Sequence, residues 1–599
     1  MSKLSIDQRN IKSLFQDRKS DFLIPDYQRP YAWNEEKCET LWEDLFSFAF
    51  PNNNIEEFDE DDEYFLGPIV TYQNDNKKLE VIDGQQRLTT LMLLLRAFYD
   101  YFIYAQDSIT KKTREEIAKC LWKTDINDEP KLDELKIQSD VAGEDDKTEF
   151  LNILKTGIVE KNYVSNYAKN FRYFKEKIEE FAKKYSIYTA TFVQIIMKNC
   201  ILLPIEADDQ NTALRIFSTL NDRGMPLSDA DIFKAQFYKY YSEKGKKNEF
   251  ITKWKELEEL CNKIFNPLTG TPMDELFTRY MYYERAKRGI KSSTTEALRK
   301  FYESDNDYAL LKNENTFQNL ISLADFWKDV SLQNTDRFSV EVLKRLFVLN
   351  YAPNGMWNYF LSVYFMQYKD VNGMLDNNKL LDFLNKTILF IWTYAITNPG
   401  VNALRTPIFN EMIKIVNNEE VDFSENKFDE NYVKSMLNTY IFYNRRPITK
   451  SMITWWAFEN KNQKLISLDN VFEIEHIYAR KRQDVDKGTT IENLELLGNK
   501  SLLEKRINIR AAEYKFDDKK KYYIGFTTDK GIRKDGTQIA ELVELANENN
   551  LNFNETDLLE RNNRIIEKFI ESLKESNLTK WFFKINEYDN NMLYSFFYK

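Results

Sequence analysis

"FEIEHIYARKRQ", residues 472–483, holds His476, the single histidine among 599 residues. The stretch opens as an alternation, with Phe472 and Ile474 apolar and Glu473 and Glu475 charged. That is the period of two expected of a half-buried strand. Glu475 directly precedes the imidazole. Neighbours on a strand face opposite ways, but at a strand end or bulge both can reach one centre. A short loop leads on to "IENLELLGNKSLLEKRINIRAAEYKFDDKKKYY", residues 491–523. It supplies Asn499 and Asn508, with a helical stretch leading on from Asn508.

A lone histidine is most often a buried, hydrogen-bonded core group. The companions here point elsewhere. A carboxylate and a His on a first strand, an Asn from the loop and an Asn from a helix make the pattern of a ββα-metal nuclease. Phosphodiester hydrolysis needs a base to activate water and a cation to offset charge building on the phosphate. Neutral imidazole takes a water proton near pH 7. Carboxylate and amide oxygens suit Mg²⁺ or Mn²⁺. One metal with one histidine base needs no second histidine.

The bulk composition sets the frame. The length implies several domains. A 43% hydrophobic content with 30% charged residues argues against global disorder. No stretch approaches the ~18–20 apolar residues of a membrane span, and the first twenty residues carry no apolar signal core. Cys38, Cys120, Cys200 and Cys261 lie far apart with no CxxC pair, which rules out a zinc ribbon and fits free thiols in a reducing cytoplasm. Net charge is −11, so nucleic-acid contact must come from local basic patches. His476 to Asp535 is such a region, with 15 Lys and Arg against 10 Asp and Glu; solvated helix faces have the same look.

Upstream, "FLIPDYQRPYAW" starts extended, since Pro25 and Pro30 each exclude helix from the residue before. Asn34 caps a helix whose inner face is Cys38, Leu41, Trp42, Leu45 and Phe46. "IEEFDEDDEY" reads as an acidic loop, "YFLGPIVTYQ" and "KLEVIDGQ" as strands, and "QRLTTLMLLLRAFYDYFIYA" as a helix through a core. Residues 105–150 read as a charged connection. From there to about 430 the pattern is mostly helical, interrupted by a strand, "NCILLPIEA". "ITKSMITWWAFENK" is a further helix.

"VIDGQQRLTTL" pairs with "IPDYQRPYAW" as a second constellation. A strand, then Asp-Gly, then polar residues opening a helix can cradle an anion. Gly84 lets the backbone approach, the helix N-terminus carries positive dipole, and Arg87 offers a fork to phosphate. A tight turn with a structural Arg–Asp pair reads equally well. No GxxxxGK[ST] occurs, so it is not a P-loop.

"EIEHIYAR", "LGNKSLLEKRINIRA", "YKFDDKKKYY" and "LLERNNRII" closely resemble the C-terminal HNH domain of GmrSD-type modification-dependent restriction endonucleases. "IPDYQRPYAW", "FLGPIVTY", "DGQQRLTTL" and "IFSTLNDRGMPLSDADIFK" resemble, in order, the ParB-like N-terminal domain of the same proteins. The resemblance implies that His476 is the general base, that Glu475 and Asn508 hold the metal, that Asn499 braces the loop orienting the histidine, and that Lys519 contacts phosphate. It also implies nucleotide binding and hydrolysis at Gln28, Arg29, Asp83, Gly84, Gln85, Gln86 and Arg87, with Asn221 and Arg223 closing the pocket. Tyr27 and Tyr31 suit either base stacking or core, and Trp33 suits core. After His476 the usual proline is absent.

The expected fold is α+β, predominantly helical and multidomain: a ParB-like α/β domain over residues 1–240, a helical middle over 241–429 and a ββα-metal (HNH) nuclease domain over 430–599. The expected function is a cytoplasmic antiphage nuclease that senses modified phage DNA and cuts it with Mg²⁺ or Mn²⁺. Binding and hydrolysis of an NTP (GTP, UTP or ATP) control the cutting, with a homo-oligomer or a defence-system partner also expected. The competing classes are a non-cleaving nucleotide- or DNA-binding regulator with an inert HNH fold, and an NTPase partner of another defence complex.

Overall fold

The computed structural model describes residues 5–580 apart from 7, 29, 142–143, 160–164, 211, 214–215, 217–227, 293–294, 296, 305–307, 401 and 487–490. The chain forms two compact units, Met1–Glu256 and Leu257–Lys599. It is α+β and 60% helical, with a mixed sheet. Among the described residues no helix is long and apolar enough to cross a membrane. Cys38, Cys120, Cys200 and Cys261 are buried free thiols.

The sheet of the first unit contains β1 (Ser5–Ile6), β2 (Arg9–Asn10), β3 (Phe22–Ile24), β4 (Tyr64–Gln73) and β5 (Leu79–Asp83). A hairpin of β6 (Trp122–Thr124) and β7 (Pro130–Leu135) stands apart, and β8 (Ile137–Ser139) and β9 (Cys200–Ala207) complete the sheet. The order is β1-β9-β4-β5-β3-β8, with β2 also on β9. Strand β4 runs parallel to β9 and antiparallel to β5, while β3 is parallel to both β5 and β8. The stretch expected as a charged connection thus supplies the edge strand β8. There Ile137 and Ser139 turn inward while charged neighbours hide the alternation.

Helices α1 (Ile11–Gln16), α2 (Glu35–Ala49), α3 (Gln85–Tyr101), α4 (Ser108–Leu121), α5 (Glu144–Thr156), α6 (Asn166–Tyr185) and α7 (Thr189–Asn199) accompany the sheet. The Asn34 side chain accepts from Lys37 N and so caps α2. Every residue of α3 from Leu88 to Phe98 is buried: the apolar run Leu91–Leu95 lies in the core, and the buried Arg96 is paired with Asp100. Trp42 of α2 meets Phe98 of α3, Phe181 of α6 and Phe192 of α7 at 6.3, 6.4 and 5.5 Å between ring centres. This aromatic cluster fixes α3, and with it the β5–α3 turn.

The second unit is helical up to residue 459 among its described elements and then carries a hairpin, β10 (Phe472–His476) with β11 (Lys500–Glu504). "ITKSMITWWAFENK" forms the helix Pro447–Glu459. That helix packs against Val340–Leu349 and Asn377–Thr397, and the latter also packs on Glu555–Glu575. The helices on either side of residues 429/430 therefore share one core.

Candidate functional site

The register of the hairpin decides what His476 meets. Glu473 pairs with Leu503, Ile474 with Leu502, Glu475 with Ser501, and His476 with Lys500. Directly opposed residues lie side by side on one face of the pair. His476 Nε2 accordingly lies 3.1 Å from Lys500 Nζ. The Lys500 ammonium is fully buried and has two more acceptors, Asn444 Oδ1 at 2.6 Å and Glu495 Oε2 at 2.8 Å. Glu495 also holds Arg480. An ammonium has three donors, and here all three have partners. The bond assigns the lone pair to Nε2 and the ring proton to Nδ1.

Burial, then the charges of Lys500, Arg480 and Lys519, push His476 down to about 2. Burial pushes Lys500 down to about 8 against the opposing pull of Glu495. The imidazole is thus neutral throughout the physiological range, while the unfolded chain takes a proton below about 6.5. Between these limits only the unfolded state binds the proton. The stability carried by neutral His476 is complete above about pH 6.5 and is lost as pH falls toward 2. Relative to His476→Gln, the wild type should lose about 2 kcal/mol between pH 7 and pH 5. Denaturant midpoints of both proteins at the two pH values measure the difference, and parallel titrations would contradict the buried neutral ring.

Asn499 pins the chain that leaves His476. Its Oδ1 accepts from Tyr478 N at 2.8 Å, and its Nδ2 donates to Tyr478 O and Leu494 O, both at 3.1 Å. Ile477 N donates to Asn499 O at 3.0 Å. The helix Glu555–Glu575 supports this loop from behind. Arg561 Nη1 donates to the carbonyls of Leu497, Gly498 and Lys500 at 3.0, 2.9 and 2.9 Å, while Nε and Nη2 are held by Glu541. Gly498 N donates to Asn562 Oδ1 at 3.2 Å. A Cβ on Gly498 would stand 2.0 Å from Leu558 O, so only glycine lets the helix approach.

Glu475 has different partners. Its Oε1 accepts from Lys519 Nζ at 2.7 Å and from Tyr523 OH at 2.6 Å, and Lys519 also donates to His476 O at 2.6 Å. Lys519 and Glu475 are buried, at 1% and 3% side-chain exposure. Lys519 therefore stands under the strand and not on a phosphate-facing surface. Asn508, on the helix Lys505–Ala511, donates to Glu473 Oε2 at 3.2 Å. The hairpin brings together His476 and Asn499, and it does not bring the Glu475 carboxylate or Asn508 to the ring of His476. Among the described residues no group of three or more His, Cys, Asp or Glu side chains is set to hold a metal ion. Glu475 Oε1 and Asn508 Nδ2 are thus taken up by protein partners. No local signal in the sequence marks Lys500, Glu495, Arg480, Tyr523 or Arg561; register or long-range packing places them.

In the first unit the two polar motifs meet. Gln85 Nε2 donates to Gln28 Oε1 at 2.9 Å, and Gln28 Nε2 donates to Ile82 O at 3.2 Å. Gln86 Oε1 accepts from Ala32 N at 2.7 Å, and its Nε2 donates to Pro30 O at 3.2 Å. Tyr27 is buried on Glu80, Tyr31 is buried against Thr90 and Tyr167, and Trp33 packs on the core. The glutamines and tyrosines thus brace residues 27–28 and 30–33 on the β5–α3 turn. Asp83, Gly84 and Arg87 are half-buried. Gly84 takes φ +88° at the start of α3, and Arg87 Nη1 donates to Pro68 O at 2.7 Å. Burial pushes the Arg87 guanidinium down, opposed by Asp83. Gly67, at φ +115°, lies under Arg87, where a Cβ would stand 2.8 Å from Nη2. Arg29, Asn221 and Arg223 lie outside the described residues.

Residues 11–238 match the family model described as the N-terminal domain of GmrSD restriction endonucleases. An uncharacterized protein of Methanocaldococcus jannaschii is 22% identical over 421 residues, spanning 63% of this chain and 67% of the relative.

Proposed function

We propose that this chain is a restriction-type endonuclease that cuts modified DNA at an HNH-like centre around His476, under control of an NTP bound and hydrolysed by a ParB-like first unit. The observation that carries the reading is the match of residues 11–238 to the GmrSD restriction endonuclease N-terminal domain. The strand–strand–helix hairpin with its one histidine, in the second unit, supports the cutting half.

The residues of the hairpin have defined tasks in this reading. Asn499 and Arg561 hold the loop so that the ring position is set before DNA arrives. For the ring to accept a water proton at Nδ1, Nε2 must carry the hydrogen and Lys500 must be the acceptor. Because burial pushes Lys500 down to about 8, its neutral form costs only about 1.4 kcal/mol at pH 7. Phosphate binding at the first unit rests on Gly84, the α3 N-terminus and Arg87.

The test is plasmid and modified phage DNA incubated with Mg²⁺, with Mn²⁺ and with EDTA, each with and without GTP, UTP and ATP. Cutting of modified DNA is the expected result, and no cutting under any condition favours the inert regulator. Phosphate release on the same preparations tests the first unit. Arg87→Lys should lose NTP hydrolysis nearly as fully as Arg87→Ala, since a compact ammonium does not reproduce a guanidinium fork. Unchanged release by Arg87→Lys removes Arg87 from the nucleotide site.

A further inference from the structure

A cavity of about 860 Å³ opens at the Phe472/Glu504 end of the hairpin, where Asp469, Asn470, Glu504 and Lys505 line it. That is the end of the hairpin remote from His476. A smaller recess of about 280 Å³ lies at the other end. One wall is Ile477, Tyr478 and Ala479, the three residues after His476. Tyr514, Lys515, Phe553, Arg482 and Asn552 also line it.

The lining has a consistent chemistry. Tyr514 is 48% exposed, yet its ring lies parallel to Tyr522 at 5.8 Å and 13°, so it is held as a platform. Phe553 is backed by Phe516 at 5.6 Å. The exposed flat face of Tyr514 suits stacking on any base. The cationic side chains of Lys515 and Arg482 suit phosphate, and an amide suits the hydrogen-bonding edge of a base. The volume accommodates one nucleotide and not a duplex. Its wall includes the three residues that directly follow His476, and Asn499 holds the backbone of Tyr478 among them, so an occupant lies against the chain leaving the histidine.

We propose that this recess takes the base of one DNA nucleotide drawn out of the stack next to the phosphate being cut. The inference rests on reading His476 as the cleavage centre. It makes the recess the place where the second unit inspects a single base, since extrusion costs least where a base is weakly paired.

The experiment uses full-length His476→Ala protein and duplex DNA with 5-iodouracil in place of thymine. Anisotropy reads binding, and irradiation followed by mass spectrometry locates the cross-links. The expected result is a cross-link on Tyr514 that persists in Tyr514→Phe and is lost in Tyr514→Ala. Millimolar GTP, UTP or ATP should leave it unchanged. DNA that binds but cross-links only outside Tyr478, Tyr514 and Phe553 overturns the recess while leaving the nuclease reading intact. Loss of the cross-link on adding NTP, with DNA still bound, overturns it in favour of a free nucleotide. Absence of DNA binding, together with a wild type that does not cut, overturns both.

Discussion

His476→Ala should lose DNA cleavage by about 10²–10⁴-fold, the usual range for removal of a general base, while NTP hydrolysis and the fold of both units persist. The ring is neutral, its neighbours are set, and no other imidazole exists in the chain to substitute for it. The pH profile separates this base from a merely structural histidine. With Lys500 pushed down to about 8, the form in which Nδ1 can accept a proton grows from about a tenth at pH 7 to about half at pH 8 and levels above about 9. Cleavage by the wild type should rise about fivefold over that first unit. Lys500→Met, which cannot donate to Nε2, should flatten the profile. Cutting by His476→Ala at the wild-type rate would remove the histidine from the mechanism. A flat wild-type profile would remove Lys500 from it.

Local signals in the sequence carried far. The cap at Asn34, the buried α3 and the helix Pro447–Glu459 each follow from spacing within one element. The strand around His476 follows from its alternation, and β8 escaped because three residues among charges show too little of one. The site was less legible, because it depends on register. Alternation alone puts Glu475 and His476 on opposite faces, and only a strand end or bulge would have joined them. The ladder stays regular through His476 and Lys500, so the acid turns to Lys519 and Tyr523. Lys500 follows Asn499 directly, yet nothing short of the pairing shows that it opposes the histidine. Arg561 is 61 residues further on, and its role rests on a helix crossing the loop at Gly498. The glutamines of "DGQQR" illustrate the same point: amides suit a ligand and a backbone equally, and here the backbone of residues 30–33 has taken Gln86.

Lys519→Met should destabilise the second unit by about 3–5 kcal/mol, the cost of leaving a buried charge without its partner. Glu475 would keep only the hydroxyl of Tyr523, and the carbonyl of His476 would lose its donor. A second change tests the cause. Adding Glu475→Gln removes the stranded charge and leaves an acceptor for Tyr523, so the double variant should be more stable than Lys519→Met alone. It should still fall short of wild type, because the carbonyl of His476 stays unpaired at a cost of about 1–3 kcal/mol. The alternative, with Glu475 on a metal ion and Lys519 on a DNA phosphate, makes the opposite forecast. Lys519 would then be an exposed side chain whose loss moves stability by no more than about 0.5 kcal/mol. It would weaken DNA binding in a salt-dependent way instead. Denaturant unfolding of the three variants beside wild type decides between them: a large loss in Lys519→Met, partly restored by Glu475→Gln, places the pair in the scaffold beneath the hairpin. Unchanged midpoints with a shallower salt dependence of DNA binding would return both residues to the reacting surface.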